Sequence, residues 1–152
     1  MAKFIYKLQN VLDIKLKMEN QAKTEFSMAA ARLNEEEEKL QMLMKQKAEY
    51  EEEYRKKSTG KLDIAELKFA KDNVEYIKDR IRVQEGVINM AKKELEIARF
   101  RLNEAIKDRK IHEKLKEKAF EEFMQEENEA EKKEIDELVS FRYNDNGKAG
   151  AK

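Results

Sequence analysis

The sequence predicts an all-α protein, a long antiparallel two-helix coiled-coil hairpin in which the second helix is longer than the first. Three observations predict this fold. Apolar residues recur at heptad spacing along most of the chain, proline is absent, and only residues 58–67 carry strong turn and capping signals. Because a short connection between long helices makes them antiparallel neighbours, we expect the chain to fold back on itself at that stretch.

The composition is typical of a helical interaction protein. Charged residues make up 43% of the 152 residues, with 33 basic and 33 acidic side chains and no cysteine. Since apolar residues are periodic and the charges alternate in sign, the charge content does not indicate disorder. The balanced charge argues against attraction to nucleic acid, and absent cysteine fits the cytosol. Because neither a signal peptide nor an 18-residue apolar run is visible, any membrane association is expected to be peripheral.

The first helix is predicted to run from about residue 4 to about residue 56. Its apolar positions form two heptad sets whose phases differ, and the join near Met18 and Ala22 reads as a stutter that locally unwinds the supercoil. The first set is Phe4, Leu8, Val11, Met18 and Ala22, and the second is Phe26, Ala29, Leu33, Leu40, Leu43, Tyr50 and Tyr54.

The turn is predicted at about residues 57–62. Gly60 can adopt a positive φ and end the first helix. Asp63 is a favourable N-cap for the second helix, and Glu66 three residues later completes a capping-box pattern. Leu62 and Leu67 have the spacing of a hydrophobic staple around that cap.

The second helix is predicted to run from about residue 63 to about residue 140, and it carries the clearest heptad pattern in the chain. Two rows of residues, each with a seven-residue repeat, would form the seam between the helices. The first row is apolar and the second is mostly small or apolar, which is the pattern of knobs-into-holes packing. The first row is Leu67, Val74, Ile81, Ile88, Leu95 and Leu102, and the second is Ala70, Ile77, Gln84, Ala91, Ala98 and Ala105.

The unequal helix lengths predict an unpaired overhang. At about 1.5 Å per residue the helices would span roughly 80 and 115 Å, so folding at Gly60 would bring Ile5 beside Glu113. Residues 1–143 would then form one hairpin, and residues 144–152 a disordered tail. Apolar residues after Lys114 would lack an internal partner and mark a binding surface. They are Leu115, Ala119, Phe120, Phe123 and Met124, and they follow the polar seam positions Arg109, His112 and Lys116.

Charge is segregated near this end of the chain. Residues 92–118 hold ten Lys or Arg against six acids, whereas residues 121–138 hold nine acids against two lysines. Blocks of opposite sign in sequence favour docking that is directed to one end of the molecule.

No motif predicts catalysis, a cofactor site or a metal site. Residues 58–61 lack the first glycine and the final hydroxyl residue of a phosphate-binding loop. His112 is the only histidine and has no neighbours at ligand spacing. A two-helix hairpin also offers no water-excluding pocket to shift carboxylate pKa values, so we expect no enzyme and no small-molecule substrate. Tyr50 and Tyr54 fit an aromatic contact patch and plain packing equally well.

Several stretches resemble the flagellar FliJ family. The opening residues 3–15 are similar to the start of that family, as are residues 101–105, 108–110 and 113–118 in order after the turn. The late segment 131–137, with the sequence EKKEIDE, resembles the family's closing acidic segment.

The resemblance implies a specific role. Family members are non-enzymatic components of the flagellar type III export apparatus, similar to the central stalk of rotary ATPases. The implied partners are the flagellar export ATPase hexamer, the membrane export gate protein and export chaperones. The implied location is the cytoplasm, at the inner face of the cell membrane.

The resemblance also implies two sets of site residues. The gate-binding surface of the family lies toward the turn, which by position implies Leu43, Tyr50, Ile77 and Gln84. The ATPase-facing end would include Leu8, Gln9, Leu12, Lys15, Arg109, Lys110, Leu115 and Lys118. Phe120 and Phe123 join this second set as apolar residues of the overhang.

Two other functions compete with this interpretation. One is a passive coiled-coil spacer that dimerises through its overhang, and the other is an export chaperone that binds unfolded substrates through Met and aromatic residues. The adjoining basic and acidic blocks favour the stalk interpretation, because a spacer gains nothing from that asymmetry.

Overall fold

The computed structural model describes residues 2–150, with side chains described for residues 2–147, and it contains two helices. Helix α1 spans Gln9–Ser58 and helix α2 spans Ile64–Gly150. The cross-helix partners Lys57–Glu66, Glu36–Gln84 and Arg32–Glu94 show that the helices pack antiparallel. The predicted fold, an all-α hairpin whose second helix is longer, is therefore confirmed.

The chain divides into two compact units, each built from both helices. The hinge unit comprises Glu19–Ala105 and contains the turn. The terminal unit comprises Met1–Met18 and Ile106–Lys152.

The turn forms where the sequence predicts it, although its details differ. Gly60 has a φ of 87°, so a residue with a Cβ would be strained there. The Asp63 carboxylate accepts hydrogen bonds from the amides of Ala65 at 3.0 Å and Glu66 at 3.5 Å, as an N-cap does. The Glu66 side chain instead accepts from Lys57 Nζ at 3.0 Å, and Leu62 is 62% exposed. The Glu66 side chain therefore does not complete the predicted capping box. The exposed Leu62 likewise does not form the predicted hydrophobic staple.

The seam of α2 follows the predicted heptad. Each position of the two predicted rows is buried or half-buried, and Arg109, His112, Lys116 and Phe123 continue the same two rows. The most buried side chains of this seam lie in the hinge unit: Ala70, Ile77, Ile88, Ala91 and Ala98.

The seam of α1 is a single heptad register, so the predicted stutter is wrong. Met18, which was assigned to the seam, is 49% exposed, whereas Glu19 is only 5% exposed. The Glu19 carboxylate lies 3.4 Å from Lys23 Nζ, and this ion pair offsets part of the cost of burying a charge. The buried or half-buried rows are Leu12, Glu19, Phe26, Leu33, Leu40, Lys47 and Tyr54, and Lys15, Ala22, Ala29, Glu36, Leu43, Tyr50 and Lys57.

Both helices have bounds that differ from the predicted ones. Helix α1 begins at Gln9 instead of about residue 4, and residues 2–6 are non-helical. Helix α2 continues to Gly150, so residues 144–150, expected in a disordered tail, are helical. No proline interrupts this segment, and a Cβ at Gly147 would meet no atom within 4 Å. Residues 151 and 152 of the expected tail lie outside the described residues.

Candidate partner-binding surfaces

The terminal unit contains an aromatic cluster. The Phe4 ring lies 5.2 Å from the Phe120 ring in an edge-on arrangement and 5.4 Å from the Phe123 ring. The prediction that residues beyond Lys114 have no internal partner is therefore wrong for Phe120 and Phe123. The reason is geometric: an extended chain advances about 3.3 Å per residue against about 1.5 Å for a helix, so residues 2–6 reach farther along α2 than a helical turn would.

The terminal unit also contains a group of charged and polar contacts. Lys15 Nζ is 2.9 Å from the Asp108 carboxylate, and its hydrogen bond holds the pKa of Asp108 below its ordinary value. Arg109 donates to Glu113 at 2.8 Å, and His112 Nε2 lies 3.5 Å from Asp108. Of the polar seam positions predicted from the sequence, Arg109 therefore forms an ion pair and His112 lies close to a carboxylate.

The residues predicted to face the ATPase are divided between surface and interior. Leu8 is 49% exposed, Leu115 45% and Phe120 46%, whereas Leu12 is 4% exposed. Lys110 and Lys118 are exposed, and Gln9 and Phe123 are half-buried. Gln9 donates to Asp13 at 2.9 Å. The structure brings all ten residues into the terminal unit, but Leu12 presents almost no surface to a partner.

The far part of α2 is the most exposed segment of the terminal unit. Every described side chain from residue 128 to residue 147 is exposed. This segment carries an apolar stripe at helical spacing, made by Ile135 at 60%, Leu138 at 58% and Val139 at 60% exposure. Contiguous apolar surface of this kind is typical of an interaction site. The sequence interpretation stopped at Met124, although the same spacing was visible here.

The residues predicted to bind the export gate lie in the hinge unit, at seam positions. Ile77 is 1% exposed, and Leu43 and Tyr50 are half-buried. Gln84 donates to the Glu36 carbonyl at 2.9 Å and to its carboxylate at 2.6 Å, and this second bond lowers the pKa of Glu36. Leu43 and Gln84 line one open groove of this unit, and Tyr50 lines another that includes the exposed Phe69.

That groove lies beside the turn. Tyr50 and the carboxylates of Glu49 and Glu53 line it from α1, and Phe69 and Asn73 line it from α2. Phe69 is 69% exposed. Sequence reasoning missed Phe69 because it considered only the seam rows, although the residue has an apolar counterpart seven positions later.

Two further structural findings bear on function. Within the described residues, neither helix contains a stretch apolar enough to cross a bilayer. The same part of the chain holds no group of three or more His, Cys, Asp or Glu side chains arranged to bind a metal ion.

Comparison with known proteins identifies the family. A solved structure from Chlamydia trachomatis, a proposed YscO homolog, matches with a TM-score of 0.64 and 22% sequence identity over 93% of this chain and 96% of the other. At that identity the match establishes the shared fold alone. No curated protein sequence matches the chain. The model of the flagellar FliJ protein family matches residues 4–148. The chain therefore belongs to the flagellar FliJ family and is a component of flagellar protein export.

Proposed function

We propose that this protein is a central-stalk-like component that binds the hexameric export ATPase through its terminal unit. In this proposal it promotes assembly of the ATPase ring and couples the ring to the membrane export gate. It has no chemistry of its own, and export chaperones are additional partners. Its working location would be the cytoplasmic face of the cell membrane.

One observation carries the ATPase assignment: α2 presents a long, fully exposed segment beyond the aromatic cluster. Ile135, Leu138 and Val139 keep more than half of their surface in water although no part of the described chain covers them. Exposed apolar surface costs roughly 25 cal/mol per Å², a cost that is recovered when a partner covers it. This supports a partner that encloses the end of the terminal unit.

The gate assignment is supported by the groove beside the turn. Tyr50 and Phe69 offer aromatic surface there, and Glu49 and Glu53 supply negative charge at the rim. Aromatic residues are enriched in the centre of protein interfaces, with charged residues at the rim. Ile77 and Gln84 would support this surface by fixing the seam beneath it.

The test of the function is ATP turnover and ring formation by the cognate export ATPase, with and without this protein. We expect the protein to raise turnover and shift the ATPase toward hexamers, because the terminal unit would bridge neighbouring subunits. Absence of both effects would remove the stalk assignment.

Variants separate binding from folding in the same assay. Ile135→Asp with Leu138→Asp should abolish the stimulation and leave helicity unchanged, since both side chains are already exposed. Glu134→Gln with Glu137→Gln is a matched control on the same helical turns, and it should retain most of the stimulation. If the aspartate pair unfolded the chain, the segment would be structural.

The competing functions give different results. A passive spacer would dimerise through the overhang and would not change ATP turnover. A chaperone would bind unfolded export substrates through its Met and aromatic residues and would leave ring formation unchanged. Neither alternative explains why the acidic residues 121–138 follow the basic residues 92–118. This separation of charge supports docking that is directed to one end of the molecule.

A further inference from the structure

A second apolar row runs along α2 outside the seam, and we call it the outer stripe. It consists of Phe69, Tyr76, Val83, Met90 and Ile97, which follow one another at intervals of seven residues. Their exposed fractions lie between 52% and 69%. Seven residues is the repeat at which a supercoiled helix returns to the same face, so these side chains form a continuous line. Single exposed apolar residues need no explanation, but a line of this length indicates an interaction surface.

A glycine lies beside the centre of the outer stripe. Gly86 is inside α2, between Val83 and Met90, where glycine costs about 1 kcal/mol relative to alanine. A Cβ at this position would meet no atom within 4 Å, so packing within the described chain does not require a glycine. A missing side chain on a helix surface allows another backbone to approach closely.

The charges that flank the outer stripe have a polarity. Asp72, Asp79, Gly86 and Lys93 form a row, again seven residues apart, that is acidic toward the turn and basic at its other end. Glu49 and Glu53 of α1 add negative charge to the acidic end, since they line the groove next to Phe69. Asp79 of this row lies 3.1 Å from Arg82, whereas among the described side chains no ion pair is found for Asp72 or Lys93.

The outer stripe is symmetric about its middle residue. Tyr76 and Met90 lie seven residues on either side of Val83, and Phe69 and Ile97 lie fourteen residues away. If two copies of α2 met antiparallel with Val83 facing Val83, each apolar residue would face another. Asp72, eleven residues before Val83, would then lie within one residue of Lys93 of the second copy, ten residues after it.

We propose that the outer stripe is a self-association surface, on which a second copy of this chain docks its own outer stripe antiparallel about a two-fold axis at Val83. Two-fold dimers of this isologous kind are the commonest homo-oligomers. The outer stripe, the surface glycine and the self-complementary charge row all support a second copy of this chain as the partner. The interface leaves the residues of the terminal unit available to other partners. It includes Phe69 of the groove proposed for the export gate, so self-association and gate binding would compete for that residue.

The association is expected to be reversible. The stripe covers about 42 Å of helix at about 1.5 Å per residue and is one helix wide, which corresponds to the low end of specific interface sizes. An interface of that size gives dissociation constants of the order of micromolar or weaker. Higher salt should weaken the dimer, since the flanking charges are exposed.

Single-cysteine variants test the contact directly, because the chain has no cysteine of its own. Val83→Cys should form a disulfide-linked dimer under mild oxidation at about 50 μM, a concentration set by the expected affinity. Glu85→Cys is the matched control, since Glu85 is exposed and lies two residues away on the opposite face. We expect Val83→Cys to cross-link at least about tenfold faster, because only that position faces its own copy. Equal rates would overturn the proposal.

The direction of pairing is tested by mixing two variants, one of which carries an affinity tag. Tyr76→Cys should cross-link to Met90→Cys and only poorly to itself, because in the antiparallel arrangement each faces the other. Preferential cross-linking of Tyr76→Cys to itself would mean a parallel contact and would contradict the proposed two-fold axis.

A charge exchange tests the flanking row by sedimentation over a range of concentrations. Asp72→Lys should weaken association by about tenfold or more, because it places like charges opposite one another in both halves of the interface. The double variant with Asp72→Lys and Lys93→Asp should restore the original affinity. Both positions are exposed, so circular dichroism should show unchanged helicity. A monomer at every concentration, or a double variant no better than the single one, would overturn the proposal.

Discussion

Along α2, mostly apolar residues fill the heptad seam of the hinge unit, whereas Arg109, His112 and Lys116 occupy seam positions of the terminal unit. Ala70, Ile77 and Ala91 of the hinge unit are each at most 3% exposed. The terminal unit instead places Lys15 against Asp108 and obtains its apolar packing from Leu12 and from the Phe4 aromatic contacts. Apolar seams contribute most of the stability of a helix pair, while partly exposed ion pairs contribute little. The comparison indicates that the hinge unit provides stability and the terminal unit provides a surface suited to partners.

The largest effect on stability is expected from the centre of the hinge unit. Ile77→Ala should lower the free energy of unfolding by about 2–4 kcal/mol, because it removes a fully buried side chain and leaves a cavity. Glu85→Ala is the exposed control and should change it by less than about 0.5 kcal/mol. Urea denaturation followed by circular dichroism measures both. An Ile77→Ala effect as small as the control's would mean that the hinge-unit seam is not the main source of stability.

The second effect concerns the aromatic cluster of the terminal unit. Phe4→Ala should cost about 2 kcal/mol or less, since Phe4 is half-buried and makes two ring contacts. The loss should be local, so hydrogen exchange should accelerate in residues 9–18 and not around the turn. Phe4→Leu retains apolar volume and should recover part of the protection. Faster exchange throughout both units would contradict the prediction that Phe4 stabilises the terminal unit alone.

The third effect concerns the polar layer within the hinge-unit seam. Gln84→Ala should cost about 1 kcal/mol, because the half-buried amide donates to the Glu36 carbonyl at 2.9 Å. Gln84→Leu fills the same space without the hydrogen bonds and should be closer to neutral than the alanine variant. Urea midpoints of the two variants make the comparison. A leucine variant much less stable than the alanine variant would mean that the hydrogen bonds outweigh packing here.

The smallest effect is a pH dependence in the terminal unit. The Lys15 hydrogen bond lowers the folded-state pKa of Asp108 below its ordinary value of 3.8. A depressed pKa stabilises the folded state above the unfolded-state value, and this stabilisation is lost as the pH falls through the folded-state pKa. Asp108→Asn should therefore lower the free energy of unfolding at pH 7 and change it less near pH 2. Urea midpoints at the two pH values test this, and an equal effect at both would contradict the ion pair's role.

The fold could be predicted from the sequence, but the α1 seam near Met18 and the conformation of residues 2–6 could not. Gly60 and Asp63 fixed the turn, because a positive φ and an N-cap have distinctive residue preferences. The α1 seam was misassigned at Met18 because an apolar residue adjoins Glu19, and a buried glutamate carries no apolar signal. The fold of residues 2–6 depended on rings more than a hundred residues away, which local spacing cannot indicate.

For the candidate surfaces, too, the sequence identified individual residues but not the contacts between residues distant in the chain. The sequence identified Phe120 and Phe123 as important apolar residues, but it could not show that Phe4 would contact them. Family position pointed to Ile77 and Gln84 as binding residues, while the heptad pattern had already assigned both to the seam, where the structure places them. The row that begins at Phe69 has a heptad spacing that is present in the sequence, and the structure adds that its side chains are exposed.

Hydrogen exchange of this protein with and without the cognate export ATPase tests the proposed division of labour most directly. Binding should slow exchange in residues 2–18 and 106–147 and leave residues 64–105 largely unchanged, because the terminal unit would contact the ATPase. Protection confined to residues 64–105, with none in residues 106–147, would contradict the proposed role of the terminal unit.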